Sequence, residues 1–131
     1  MTWHFWAALA AGLVAASLAD WLFAGVLFHD RYVRHPEVWR TPGKNTRGIV
    51  AAQALAVPTV VGMGVLLNLI DVERSFTVAT FVAALVWAIA AAPATIVNGV
   101  FIKLDPLVVA AHTAGWLVKL VAVALIVTAL W

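Results

Sequence analysis

Five side chains carry most of the chemical capacity of this chain: Asp20, Gln53, Asn98, His112 and Lys119. All five sit inside long apolar runs, where an ionisable group near a bilayer centre costs about 2.5–3.5 kcal/mol and marks a functional candidate by default. Asp20 lies eight residues inside the charged end of its run, about 12 Å at the helical rise. His112 and Gln53, each six residues in, lie about 9 Å deep, and Asn98, five residues before Lys103, about 7–8 Å. Lys119 follows His112 by seven residues, which on a helix is the same face two turns further in. Every run thus supplies a strongly polar side chain at a similar level. The expectation is a polar pocket in which Asp20 is proton acceptor or counter-ion and Lys119 the cation. The competing expectation is structural: Asp20 and Lys119 neutralise each other, and Gln53, Asn98 and His112 act as interhelical hydrogen-bond glue worth ~0.6 kcal/mol each.

The elements that must position these groups follow from the distribution of charge. The 131 residues are 65% hydrophobic and 11% charged, against about half and a quarter in soluble domains. A core this small cannot hide that excess. A water-soluble globule, a disordered chain and a nucleic-acid module are excluded, and a membrane-embedded protein is indicated. Charges divide the sequence into apolar runs at residues 3–28, 48–70, 76–102 and 106–131. Each exceeds the roughly 20 residues needed to cross a bilayer as a helix, and none alternates like a barrel strand. The expected fold is all-α: a single domain of four transmembrane helices. Ser17-Leu18-Ala19 before Asp20 looks like a cleavage site, but no Lys or Arg precedes it, so the first run is read as a retained helix.

Basic residues orient the bundle. The connection 29–47 holds Arg31, Arg34, Arg40, Lys44 and Arg47, and the third holds Lys103, whereas the second has only Arg74. That asymmetry puts segments 29–47 and 103–105 in the cytoplasm and both termini outside, in a bacterial inner membrane. Trp3, Trp6 and Trp131 then belong to an outer aromatic belt, and Tyr32 and Trp39 to an inner one. The five cations of the first connection suit a segment lying on the bilayer, contacting anionic headgroups, although topology alone also explains them.

Small residues recur every four positions at Ala8-Gly12-Ala16, Ala84-Ala88-Ala92 and Ala111-Gly115, as close helix packing within a bundle or homo-oligomer requires. Pro58 and Pro93 are expected to kink their helices. With no cysteine, thiolate metal sites and disulfides are excluded. His29 and His35 with Asp30 or Glu37 match no metal-ligand spacing. His4 lies at the opposite end from His112, against a bis-His haem. No phosphate loop, Gly-x-Ser-x-Gly elbow or His-Glu-x-x-His occurs, so neither cofactor nor metal is expected.

The segments Met1-Thr2-Trp3, Ala19-Asp20-Trp21-Leu22-Phe23, Leu27-Phe28, Asn98-Gly99-Val100-Phe101 and Ala114-Gly115-Trp116-Leu117-Val118, with Trp87 and the final Trp131, give a layout that resembles an uncharacterised family of small bacterial four-helix inner-membrane proteins, a domain of unknown function. The resemblance implies the four-helix membrane fold and brings no activity. On the residues themselves, the leading expectation is a polar intramembrane pocket that binds or transports protons or a small or amphipathic solute. The second is a non-catalytic subunit of a larger membrane complex. The third, a lipid-modifying enzyme using Asp20 and His112 as acid and base, lacks an accompanying nucleophile or metal set.

Overall fold

The computed structural model describes residues 3–34, 46–70 and 75–131. The chain is all-α, with four helices long and apolar enough to cross a membrane: α1 (Trp3–Leu27), α3 (Thr46–Leu69), α4 (Phe76–Phe101) and α5 (Pro106–Leu130). The short α2 (His29–Val33) lies between the first two. At 24–26 residues, each long helix measures about 36–39 Å, enough to cover ~30 Å of hydrocarbon with some tilt.

Two long helices are not uniform. α1 widens into a π-helical turn at Trp21–Leu27, immediately after Asp20, and the Phe28 N–H closes it on the Phe23 carbonyl at 3.0 Å. α4 widens at Trp87–Ala91, where the Ala92 N–H bonds to the Trp87 carbonyl. Pro93 follows directly. Its ring would collide with the carbonyl four residues back in a regular helix, and the wider turn moves that carbonyl aside. Pro58 shows no such device, and α3 stays helical from Thr46 through Leu69.

α5 is the hub. It packs against α1, α3 and α4, while α1 and α4 share no contact among the described residues. Its inward positions include Val108, Ala111, Gly115, Leu120, Val123 and Ala124, and Val60, Val108 and Val123 are its largest fully enclosed neighbours and members. Glycines permit close approach at several points. A Cβ on Gly12 would stand 2.7 Å from Val60 Cγ1, and one on Gly64 would enter the Trp131 ring. That ring also meets Phe5 edge-on at 5.0 Å. Trp3, Trp6, Leu55, Phe81, Ile89 and Phe101 cover the outside, an apolar extent that water would not tolerate and lipid does. Since lipid tails are as apolar as the side chains, dispersion between interlocked small and large residues holds the helices together.

The small-residue stripes are realised unequally. Ala8, Gly12 and Ala16 are buried, as are Ala111 and Gly115. On α4 the buried set is Ala79, Val82, Ala83 and Ala92, whereas Ala88 is exposed. The extra residue in the π turn rotates the positions beyond it by about 100°, so a four-residue spacing does not stay on one face there.

Candidate functional site

The α1–α5 interface carries the principal polar contact. Lys119 Nζ lies 2.5 Å from Asp20 Oδ1; the lysine side chain is 9% exposed and the aspartate 42%. Lys119 projects from the packed face of α5, and its ammonium also stands 4.3 Å from the centre of the Trp116 ring. A buried ammonium needs such partners, because an unpaired charge in a low-dielectric interior is strongly disfavoured. The cation is enclosed, and the carboxylate is the accessible half of the pair.

Asp20 and Lys119 line a cavity of about 370 Å³, together with Gln53, His112, Tyr32 and Thr59. Its walls come from α1, α3 and α5, with α2 contributing Tyr32. Gly115 allows the Phe23 ring to lie close over α5, the glycine's missing Cβ position being 3.3 Å from that ring. Ser17 reaches from α1 to both the Leu13 carbonyl, at 2.7 Å, and the Gln53 amide. The Gln53 contact is through its Oε1, and a hydroxyl has one proton, so Ser17 donates to one of these two acceptors at a time.

The pocket has a cover that sequence spacing does not disclose. α2 folds back so that Tyr32 is only 8% exposed, edge-on to His112 with ring centres 5.5 Å apart. Tyr32 is therefore an inward-facing residue rather than part of a lipid-facing belt. Burial first, and the Asp20 charge second, push its phenol up to about 12. Arg31 steadies α2 through a 3.7 Å ion pair to Asp105. Asp105 also caps α5 by accepting from the Leu107 N–H at 2.7 Å, with Pro106 next to it in the position where a missing N–H costs nothing.

Of the five anticipated polar residues, four meet here: Asp20, Gln53, His112 and Lys119. Asn98 does not. It is exposed on α4, which α5 holds apart from α1, so a level shared in depth is not a shared place. The cations anticipated at headgroups are spread differently: Arg31 is committed to Asp105, Arg34 and Arg47 are exposed, and Arg40 and Lys44 lie outside the described residues, as do Trp39, His35 and Glu37.

A second polar seam joins α4 to α5 on the other side. Trp87 Nε1–H donates to the Thr113 carbonyl at 2.7 Å, and the Thr95 and Thr113 hydroxyls meet at 2.9 Å. Thr113 also reaches the Val109 carbonyl and Thr95 that of Ala91, so one hydroxyl proton serves a carbonyl while the other bridges the two threonines. These groups satisfy one another and act as glue. Nothing in the spacing of Trp87, Thr95 and Thr113 singles them out, since their pairing depends on the local widening of α4. No family model, curated protein or solved structure matches this chain.

Proposed function

We propose that this small integral membrane protein uses the cavity around Asp20 to bind protons or a small polar or amphipathic solute, and to carry it across or out of the bilayer. The observation that carries the reading is the asymmetry of the ion pair. A purely structural pair is expected to enclose both charges, yet Asp20 keeps 42% of its side chain open beside the cavity. A carboxylate so placed accepts a proton or a hydrogen bond from a solute, and Lys119 holds its countercharge in place. His112, next to the cover residue Tyr32, is suited to relay or orient. The excess of basic residues at this end supports a mouth on the cytoplasmic side, with both termini outside.

The test uses the absence of cysteine. A cysteine replacing Ala52, which lines the cavity, is expected to react with a membrane-impermeant maleimide from the basic-loop side within about tenfold of the rate at exposed Arg34→Cys. A rate as low as that of Ile89→Cys on the outer face overturns the reading.

A second reading, a homo-oligomer or an accessory subunit of a membrane complex, is favoured by one specific feature. Asn98 is exposed among Val97, Val100 and Phe101 on the outer face of α4. An amide facing lipid gains from a hydrogen bond to a neighbouring chain. If Asn98→Leu leaves the assembled size unchanged by native mass spectrometry, this interface is not used.

A further inference from the structure

We infer that the ligand is a single-chain amphiphile with an uncharged hydroxyl head, its head at Asp20 and its aliphatic tail in the groove between α3 and α4. This rests on the cavity being a binding site, as proposed above, and deepens it.

The groove holds about 520 Å³ between Pro58, Gly62, Leu66, Val86, Ala90 and Ala94, with Trp116 behind them. It exists because α3 and α4 barely touch. Its hydroxyls are already engaged, Thr95 with the Ala91 carbonyl and with Thr113, and Thr59 with the Leu55 carbonyl at 3.4 Å. The space therefore offers an occupant apolar contact and little else, and at membrane depth that occupant is a hydrocarbon chain. Thr59 and Trp116 line both the groove and the polar cavity. These two side chains thus border both spaces, and a ligand that passes them places its head in one and its tail in the other.

The head is selected by charge balance. The two formal charges lining the cavity compensate each other across 2.5 Å. The pair is neutral as a whole, so a charged head of either sign brings one net uncompensated charge into a medium that disfavours it. A hydroxyl brings none. Asp20 has acceptor capacity beyond its bond to Lys119, which the proton of a hydroxyl head can use.

The experiment uses the full chain in phosphatidylcholine vesicles and a diazirine-bearing hexadecanol as photoprobe. Labelling is expected to map to α3 and to the Trp116 region. Unlabelled hexadecanol is expected to compete at concentrations about tenfold or more below those of hexadecylamine and hexadecanoate. Gly62→Leu places a side chain in the groove from a position where an added Cβ meets nothing within 4 Å, and labelling is expected to fall by about tenfold or more. The same variant combined with Ala52→Cys should keep its maleimide rate. A reactive Ala52→Cys together with labelling that Gly62→Leu leaves intact, or with equal competition by the charged analogues, overturns this inference and leaves the pocket standing. An inert Ala52→Cys removes the pocket and this inference with it.

Discussion

Lys119 and Asp20 form an ion pair 2.5 Å long in which the cation is enclosed and the anion half open. The burial is thus one-sided, and the two partners are not equivalent under substitution. Asp20→Leu strands an enclosed ammonium whose remaining close partner is the Trp116 ring, and is expected to cost about 2–4 kcal/mol. Lys119→Met leaves a carboxylate that is 42% exposed beside the cavity, and should cost less than Asp20→Leu. Asp20→Asn keeps an acceptor for the lysine and should leave the protein folded. The double change Asp20→Leu with Lys119→Met is expected to recover most of the larger loss. Thermal unfolding of the four variants in one lipid checks the cycle, and additive losses would show that the pair is not coupled.

Gly64 and Trp131 test the packing at the other end. Because a Cβ on Gly64 enters the Trp131 ring, Gly64→Ala should destabilise by about 1–3 kcal/mol through overpacking. In a Trp131→Ala background the same change should cost far less. An equal cost in both backgrounds would mean that the ring does not occupy that space.

The cover is held by packing more than by charge. The Arg31–Asp105 pair is partly exposed at 3.7 Å, so Arg31→Ala should change stability by under about 1 kcal/mol. Tyr32→Ala, in contrast, removes the ring that closes over His112 and should speed maleimide labelling of Ala52→Cys severalfold. Tyr32→Phe should not. Acceleration by the phenylalanine variant would shift the explanation from the ring to its hydroxyl.

Tyr32 is the single tyrosine of the chain, so its ionisation can be followed by tyrosinate absorbance without interference from another phenol. Its folded value of about 12 exceeds the ordinary 10.0. The neutral phenol is therefore the favoured form in the folded state. The stability this contributes is fully present below pH 10, and is lost as pH rises from 10 through about 12. Asp20→Asn should lower the midpoint, since the Asp20 charge is the second cause of the shift. A midpoint near 10 in the folded protein would show that the ring is not buried.

Much of this architecture is legible in the chain alone, and the parts that are not share a cause. Hydrophobic run length decides that there are four spans, because each must cover a fixed thickness of hydrocarbon. The seven-residue separation of His112 and Lys119 places both on one face, and both reach the cavity. Asn98 has a similar depth yet lies on the outside of α4, and the Ala84-Ala88-Ala92 spacing loses its face at the widened turn. Tyr32, one of several aromatic and basic residues in its connection, is drawn inward by a helix of five residues.

Length, composition and the rise of a helix are properties of each segment by itself, so the residue order determined the number of long apolar helices and the position of every polar group along its own helix. Which helix becomes the hub, which faces turn toward it and which end is covered depend on contacts between segments distant in sequence. Tertiary packing around α5 decided these, by bringing Asp20 to Lys119 and leaving Asn98 outside.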